Sequence, residues 1–344
     1  MKEKVTSLQV AERAGVSQSA VSRVFTPGAS VSKRTAEKVR VAAAELGYRP
    51  NVLARAMVSG KSRIIGLVVA YLENYFYPSA LEKLSNALQE QGYHVLVFMA
   101  SQTAGNIDDV MEEILDYQVD GIVLASVALS SDITSRCQAA GVPVVLFNRS
   151  QDIDHISAVT SDNVAGGRKL AEFLVEGRHR RFGYIAGWEG ASTQRDREAG
   201  FRAGLAAAGQ DLFARGVGDF TVDGAKDAAR RMFDRPEDAR PDCVFVANDH
   251  MAIAVMDVLR FELGLSVPED VSVVGFDDVP PASWAAYDLT TVRQRANLMV
   301  AETVTTLMEN IENPGMVEPR KVAIDGPLVV RGSARIPTNR TRTG

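Results

Sequence analysis

The stretch VAERAGVSQSAVSRVF, residues Val10–Phe25, has the pattern of two short helices joined by a tight turn. Gly15 stands where a left-handed residue would end the first helix, and Ser17 is a preferred N-cap for the second. A small residue at Ala11 and a β-branched residue at Val21 lie where the helices of a helix-turn-helix touch. The stretch therefore predicts that motif. Its predicted core positions are Val10, Ala11, Ala14, Val21 and Val24.

A third helix is predicted directly after this motif. Ser32 is its N-cap, Gly47 ends it, and Pro50 prevents its continuation. Residues 1–50 are therefore predicted to form a three-helix head. The buried stripe predicted for the third helix is Ala36, Val39, Ala43 and Leu46.

The charge of the chain is divided unevenly between its two parts. Residues 1–62 carry five Lys and six Arg against four Glu and no Asp, a net charge of +7, whereas residues 63–344 carry −12. A basic segment attached to an acidic body is typical of contact with nucleic acid, although a charged run is more often a solvated face. The helix-turn-helix pattern within the basic part favours DNA.

The second predicted helix presents polar side chains near its start. Gln18 can bind adenine in the major groove and Arg23 can bind guanine, while polar groups at helix starts hold phosphates. The alternative is a plain solvated helical face. The predicted DNA-contacting residues are Thr6, Ser7, Ser17, Gln18, Ser19, Ser22, Arg23, Lys33, Arg34, Tyr48, Asn51, Ala54 and Met57.

A short apolar connector, NVLARAMVS (Asn51–Ser59), follows Pro50. It permits a helix, but isolated helices below about 12–15 residues are marginal in water. Its apolar side chains suit packing against a second copy, or insertion of Met57 between base pairs. An ordinary interdomain connector packed on the body is the alternative from the residues alone.

The remainder of the chain alternates apolar strand-like runs with amphipathic helical stretches. The seven runs predicted to be strands are Ile64–Val69, Val95–Met99, Gly121–Ala125, Val142–Phe147, Phe182–Ala186, Cys243–Ala247 and Val271–Phe276. This pattern is typical of doubly wound parallel sheets covered on both faces, the α/β class. Two such series meet near Thr160–Asp162 and again near Thr290–Gln294, which predicts two lobes. We expect a connector at 51–62 and a core at 63–334. Its first lobe is predicted at about 63–161 and 294–322, its second at about 162–291 and 323–334, with a flexible tail at 335–344.

Polar and aromatic side chains follow several of the predicted strands. Ligands of open parallel sheets bind at the carboxyl ends of the strands, so these side chains suit a small hydroxylated ligand. The alternative is that Asn248, Asp249, Asp277 and Asp278 cap the next helix or turn. Arg149 suits an acidic or phosphorylated sugar, or it points away.

Other classes of protein receive little support from the sequence. HExxH, GxSxG, GxGxxG and Walker motifs are absent, so no enzyme, cofactor or metal site is predicted. Cys137 and Cys243 lie far apart without a CxxC or CxxH neighbour. No apolar run suits a membrane span, and the first residues lack a signal-peptide pattern. We expect a cytoplasmic protein.

Twelve motifs in order along the chain resemble those of the lactose/galactose-repressor (LacI/GalR) family of bacterial transcription regulators. Gln9 stands where the family usually has Asp, and Thr26 where it frequently has Asn. The motifs are VAERAGVSQSAVSRVF (Val10–Phe25), VSKRTAEKV (Val31–Val39), LGYRPN (Leu46–Asn51), ARAM (Ala54–Met57), IIGLVV (Ile64–Val69), DGIVL (Asp120–Leu124), GVPVV (Gly141–Val145), SDNVAGG (Ser161–Gly167), REAGF (Arg197–Phe201), ANDHMA (Ala247–Ala252), VVGFDD (Val273–Asp278) and LTTVRQ (Leu289–Gln294).

The resemblance implies a core similar to periplasmic sugar-binding proteins, with an effector between its lobes. It implies that Asn51–Ser59 is a hinge helix that forms on operator DNA, with Met57 at the wedge position where the family usually has Leu. The implied effector-binding residues are Tyr75, Asn148, Arg197, Phe220, Asn248, Asp277 and Gln294.

The expected protein is therefore a transcriptional regulator, most simply a repressor. A homodimer would bind a pseudopalindromic double-stranded operator, because one helix-turn-helix contacts one half-site. No leucine heptads follow Val330, which favours a dimer. A small-molecule carrier or sensor without a DNA role is the alternative, and it would need neither the basic head nor Gln18–Arg23.

Overall fold

The computed structural model describes residues 5–26, 29–49, 61–100, 107–127, 131–151 and 155–343. The chain divides into two compact units, residues 1–63 and 64–344, each of which is described by itself. The predicted head and core therefore correspond to separate units. None of the helices in the described part of the chain is long and apolar enough to cross a membrane.

The first unit contains three helices whose ends follow the predicted signals. Ser17 Oγ accepts the Ala20 N–H at 3.3 Å. Gly15 and Gly47 end their helices with φ angles of 65° and 68°. Val21 is fully buried in the small core between the helices. The prediction of a three-helix head is confirmed, with α1 at Ser7–Ala14, α2 at Gln18–Val24 and α3 at Lys33–Leu46.

The second unit consists of two six-stranded sheets with helices between successive strands. All seven predicted strand runs contain a strand. The strands are β1 Ile64–Val69, β2 His94–Met99, β3 Gly121–Ala125, β4 Val144–Phe147, β5 Ser157–Ser161, β6 Phe182–Ala186, β7 Leu212–Val217, β8 Cys243–Val246, β9 Ser272–Asp277, β10 Thr290–Arg293, β11 Lys321–Ile324 and β12 Leu328–Val329. The helices are α4 Phe76–Glu90, α5 Ile107–Asp116, α6 Ser131–Ala139, α7 Asn163–Glu176, α8 Ser192–Ala207, α9 Val222–Phe233, α10 Asp249–Asp257 and α11 Ala296–Glu312.

Each sheet forms one lobe of the core. The first has the order β11-β5-β4-β3-β1-β2 and is parallel throughout; the second has the order β12-β10-β9-β8-β6-β7 and is parallel except for β10 with β12. The chain passes between the lobes after β5, after β10 and after β11. The doubly wound two-lobed α/β architecture is thus confirmed.

The boundaries of the lobes differ slightly from the prediction. The last strand of the first lobe ends at Ile324 rather than near residue 322, because Lys321–Ile324 pairs with β5 along its whole length. The second lobe keeps β10 to Arg293 rather than residue 291. At the third crossing, a Cβ on Gly326 would lie 2.1 Å from the carbonyl oxygen of Arg293, at the end of β10. Only glycine therefore allows the segments of the second and third crossings to pack this closely.

The prediction of a flexible tail is wrong for residues 335–343. Arg340 Nη2 donates to Glu176 Oε1 at 3.1 Å, and the Thr343 N–H donates to the Val330 carbonyl at 3.0 Å. These contacts fasten the segment to α7 and to the end of β12. The polar composition of the tail suggested disorder. The sequence does not show that residues of the second lobe bind this segment.

Helices α7 and α8 approach each other more closely than side chains normally allow. A Cβ on Gly200 would lie 2.0 Å from the Val164 carbonyl oxygen, and one on Gly167 would lie 2.2 Å from the Arg197 carbonyl oxygen. Both clashes would be with backbone, which cannot rotate away. The glycines therefore fix the position of α8 and of the side chains it carries.

We predict that Gly200→Ala lowers the free energy of unfolding by about 1–3 kcal/mol, because the added methyl group forces the helices apart. Urea unfolding followed by circular dichroism measures the change. Ala203→Ser, at an exposed position of the same helix, should stay within about 0.5 kcal/mol of wild type. An unchanged or increased stability of Gly200→Ala would contradict the close packing.

Candidate functional site

The start of α2 presents an exposed polar surface. Gln18, Ser19, Ser22 and Arg23 are all exposed, as predicted. Gln18 Nε2 donates to Ser7 Oγ at 2.9 Å, which joins the first two helices and orients the glutamine. Gln18, Ser19, Ser22 and Arg23, together with Ser7, form a surface named the α2 face.

The other predicted contact residues of the head occupy helix starts or its core. Thr6 and Ser17 cap their helices, so their side-chain oxygens already accept backbone N–H groups. Lys33 and Arg34 are exposed in the first turn of α3. Tyr48 is half-buried, with its ring centroid 5.9 Å from that of Phe25. Asn51, Ala54 and Met57 lie outside the described residues.

Gln9 has a structural role that the sequence analysis missed. Its Oε1 accepts the Thr6 N–H at 2.8 Å, while Thr6 Oγ1 accepts the Gln9 N–H at 3.4 Å. This reciprocal pair is a capping box. The spacing of Thr and Gln three residues apart at a helix start is the signal that could have found it.

The second unit contains a cleft where the carboxyl ends of strands from both sheets meet. Its free volume is about 10 Å³, enough for about one water molecule, so the lobes are closed on each other. Entry of any larger ligand requires them to separate. The lining residues are Tyr71, Asn74, Tyr77, Asn148, Arg149, Thr193, Arg197, Phe220, Asn248 and Asp277.

A buried carboxylate, Asp277, joins the two lobes. Asn74 of the first lobe donates through Nδ2 to Asp277 Oδ2 at 3.0 Å. Gln294, after the second crossing, donates through Nε2 to Asp277 Oδ1 at 2.7 Å. Gln294 Oε1 in turn accepts Ser161 Oγ–H at 2.7 Å, beside the first crossing. The carboxylate is therefore held by groups from both lobes and from two of the crossings.

Arg197 supplies the counter-charge for Asp277. Its Nη2 lies 3.3 Å from Asp277 Oδ1, and both side chains are almost completely buried. Its Nε donates to Asn163 Oδ1 at 2.9 Å and its Nη1 to the Ala247 carbonyl at 2.6 Å. Arg197 therefore serves first to position Asp277, with three of its nitrogens engaged by protein acceptors.

Arg149 contrasts with Arg197 in the same cleft. Its side chain is buried, yet its Nε and Nη1 have no hydrogen-bond partner. The guanidinium lies 5.3 Å from the centroid of the Trp188 ring. The adjacent Asn148 donates to the Tyr77 hydroxyl at 3.1 Å, while its own Oδ1 has no donor. These two residues offer unused polar atoms in the cleft.

The cleft brings together most of the predicted effector-binding residues. Asn148, Arg197, Phe220, Asn248 and Asp277 line it, whereas Gln294 lies behind Asp277 and does not. Tyr75 is 49% exposed and lies outside the lining, because α4 starts one residue later and its neighbours turn inward. The lining residues that the predicted set missed are Tyr71, Asn74, Tyr77, Arg149 and Thr193. Their position directly after a predicted strand or at a helix start was the available signal.

The capping interpretation is confirmed for Asn248, and its ligand role stays a prediction. Its Oδ1 accepts the Met251 N–H at 3.0 Å and so caps α10, while the residue also lines the cleft. Asp278 is separate from Asp277: it pairs with Arg331 at 2.7 Å and with Arg293 at 2.5 Å. The two neighbouring carboxylates therefore have different arginine partners.

Asp249 is a second buried carboxylate beneath the cleft. Its oxygens accept the Thr291 hydroxyl at 2.7 Å and the Val279 N–H at 3.0 Å. Burial, and next the nearby Asp277, raise the pKa of Asp249 to about 7. Burial also raises the pKa of Asp277, against the opposing effect of Arg197. The two carboxylates share one poorly solvated region.

One group of possible metal ligands occurs among the described residues. His179, Asp242 and Cys243 place their ligand atoms within 4.8 Å of one another. They lie at the amino ends of β6 and β8, the sheet edge opposite the cleft. Asp242 also accepts the backbone N–H groups of Arg180 and Arg181. The proximity of His179 and these hydrogen bonds lower the pKa of Asp242 to about 2 despite burial. The carboxylate therefore organises this turn.

We predict that Asp249 makes the protein less stable as pH rises from about 4 to about 7. In this window the folded state retains the Asp249 proton, whereas the unfolded chain, with a pKa near 4, releases it. Asp249→Asn should reduce the slope of the unfolding free energy against pH, measured by urea denaturation from pH 4.5 to 8. Asp211→Asn, at an exposed carboxylate, should keep the wild-type slope. Equal slopes for all three proteins would contradict the raised pKa.

Two family models match separate parts of the chain. Residues 8–51 match the model described as bacterial regulatory proteins, lacI family. Residues 171–334 match the periplasmic binding protein-like domain. The matches fall on the three-helix unit and largely on the second lobe, respectively.

Curated proteins and solved structures resemble the chain over nearly its full length. The HTH-type transcriptional regulator CelR of Thermobifida fusca is 35% identical over 94% of this chain and 96% of its own. The ribose operon repressor of Escherichia coli K12 is 29% identical over 96% and 99%. A CelR–cellobiose complex aligns with a TM-score of 0.72 and 32% identity, covering 96% of this chain and 100% of that one.

A structure of the lac repressor dimer bound to operator and the anti-inducer ONPF aligns with a TM-score of 0.85 and 28% identity, covering 96% of this chain and 99% of that one. The names of these relatives describe transcriptional regulators. The family expected from the sequence motifs is therefore confirmed: the chain belongs to the lacI family of bacterial regulatory proteins and is a DNA-binding transcriptional regulator.

Proposed function

We propose that the protein binds a pseudopalindromic operator as a homodimer in the cytoplasm and represses transcription, with operator affinity set by a small polyhydroxylated effector in the cleft. The observation that carries the proposal is the presence, in one chain, of an exposed α2 face and a cleft closed by Asp277. A carrier without a DNA role needs only the cleft. The exposed Gln18 and Arg23 on a folded helix-turn-helix favour the regulator.

The DNA contacts proposed here divide into two kinds. Gln18, Ser19, Ser22 and Arg23 contact base edges in the major groove, because the exposed amide and guanidinium groups of this helix suit adenine and guanine. The residues proposed to hold phosphates and the register are Thr6, Ser7, Ser17, Lys33, Arg34 and Tyr48. Asn51, Ala54 and Met57 are proposed to act in a hinge that forms on the operator, with Met57 entering the minor groove.

The effector is proposed to act on the closure of the lobes. A ligand that contacts Asn148, Arg197, Phe220, Asn248 and Asp277 touches both lobes, so its binding changes the balance between open and closed forms. Gln294 supports the same site through Asp277, and Tyr75 is proposed to contact the ligand only after the lobes open. The sugars in two relatives, cellobiose in the CelR complex and ribose in the name of the ribose operon repressor, support a sugar or sugar derivative.

The proposal is tested by selecting duplexes from a random library with purified full-length protein. The expected result is a two-half-site motif whose centres lie about one helical turn apart, with affinity falling steeply as salt rises. A single half-site, or no enrichment over random competitor, would contradict the proposal. Sedimentation of the complex gives the number of chains per duplex.

We predict that Arg23→Ala relaxes base preference at one position in each half-site and weakens binding to the selected operator by about 1–3 kcal/mol per contact. Fluorescence anisotropy on the operator and on single-base variants measures both effects. Arg13→Ala is the matched control, because Arg13 lies in the last turn of α1, outside the α2 face, and pairs with Glu45 of α3 at 2.7 Å. An equal loss on every sequence would instead make Arg23 a phosphate contact.

A further inference from the structure

The two arginines that line the cleft differ in their electrostatic partners. Arg197 is paired with Asp277 and has protein acceptors for three nitrogens. Arg149 is equally buried, at 3% exposure, but its Nε and Nη1 have no acceptor among the described residues. No carboxylate in that part of the chain lies within salt-bridge distance of Arg149. The described lining residues of the cleft therefore include two arginines and one carboxylate, Asp277.

The groups closest to Arg149 do not remove this imbalance. Burial lowers the pKa of Arg149, and the groups that act on it are the phenols Tyr77 and Tyr71 and a second cation, Arg195. A neutral phenol cannot neutralise a guanidinium, which stays charged in proteins. The Trp188 ring, 5.3 Å away, stabilises the cation only in part. A buried charge without a partner is costly, so its retention in a cleft indicates a ligand.

The residue beside Arg149 adds a second requirement. Asn148 Oδ1 is a buried acceptor without a donor among the described residues, and Asn148 lines the cleft together with Arg149 directly after β4. An acceptor needs a ligand hydroxyl, whereas Arg149 needs ligand oxygens. A polyhydroxylated acid carries both groups. A neutral sugar would satisfy the hydrogen bonds but leave the charge of Arg149 unbalanced.

We infer that the small molecule bound in this cleft carries an anionic oxygen group, a carboxylate or a phosphate, that pairs with Arg149 while one of its hydroxyl groups donates to Asn148 Oδ1. The inference rests on the proposed function, in which the cleft holds the effector. It assigns the ligand to the sugar acids or sugar phosphates. The strength of charge-assisted hydrogen bonds makes the anionic group a major contributor to affinity and selectivity.

The first test measures thermal unfolding of the full-length protein without DNA, at constant ionic strength, as sulfate or phosphate replaces chloride. Wild type should be stabilised, because an anion that binds only the folded state raises its melting temperature. Because sulfate and phosphate are excluded from the protein surface, they also stabilise every variant to a common extent. Arg149→Gln should therefore keep this common effect and lose only the additional stabilisation of wild type. Arg202→Gln, at an exposed arginine of α8 that pairs with Glu198 at 2.9 Å, should keep the wild-type response. No stabilisation of wild type beyond the chloride control, or an equal response of Arg149→Gln, would overturn the inference.

A stability comparison in chloride buffer shows whether the variant folds and tests the same charge imbalance. Arg149→Gln should be at least as stable as wild type, because it removes a buried charge without a partner. Arg197→Gln should melt at a lower temperature, because it leaves Asp277 without its counter-charge. A large loss of stability in Arg149→Gln, matching that of Arg197→Gln, would show that the protein already compensates Arg149 and would overturn the inference.

The second test compares hexoses with the corresponding hexuronates and hexose phosphates as probes. An acid or a phosphate should stabilise wild type more than its neutral parent, and Arg149→Gln should bind it about 10- to 100-fold more weakly. Whether uronates or phosphates respond distinguishes the two sources of the anion. A neutral sugar that stabilises wild type and Arg149→Gln equally would overturn the inference. If none of these probes stabilises the protein, the inference is accepted or rejected on the thermal unfolding measured with sulfate and phosphate.

Failure of this inference is distinguishable from failure of the proposed function. The anion experiments use protein alone, whereas operator selection uses protein and DNA. Selected operators together with no anion response would reject the anionic ligand and leave the regulator standing. An anion response that requires Arg149, together with no preference for any duplex, would support the anionic ligand and reject the proposed DNA-binding function.

Discussion

The burial of Asp277 is the constraint on which the closed core depends. A carboxylate with 4% exposure between two lobes requires donors from both, and Asn74, Arg197 and Gln294 provide them. Removing one donor leaves a charged group poorly compensated, which costs more than an ordinary hydrogen bond contributes. The lobes therefore close as a unit around this group, and any ligand that enters must replace or reinforce its contacts.

The packing beneath the cleft makes this arrangement possible. Arg197 lies on α8, whose distance from α7 is set by contacts that only glycine permits at positions 167 and 200. Asn163 at the start of α7 then reaches Arg197 Nε. A shift of either helix would move the arginine away from Asp277. The same packing of α7 against α8 therefore stabilises the second lobe and sets the geometry of the cleft.

The sequence predicted those parts of the structure that depend on local signals. Caps at Ser17 and Ser32 and left-handed glycines at 15 and 47 are encoded within a few residues, so the three-helix head was predictable. Buried parallel strands were also predictable from continuous apolar runs. The half-exposed strand Leu212–Val217 lacked such a run, and its pairing with β6 was therefore missed.

The parts that were not predictable depend on contacts between distant segments. Asn74 and Asp277 are 203 residues apart, and nothing in the local sequence around either shows that they meet. The same holds for Arg340 on Glu176, which orders a tail of polar composition. Tyr75 and its neighbours lie at the start of α4. A shift of one residue in the first position of that helix changes which of these side chains faces the cleft.

In the proposed mechanism, occupancy of the cleft and occupancy of the DNA-binding surface are energetically linked. Calorimetric titration of the stabilising cleft ligand into free protein, and into protein saturated with its selected operator, measures this coupling. The two dissociation constants should differ by about 5- to 150-fold, and the operator affinities of ligand-free and ligand-bound protein should differ by the same factor. Identical ligand affinities in the two titrations would show that the sites are uncoupled and that the proposed mechanism is wrong.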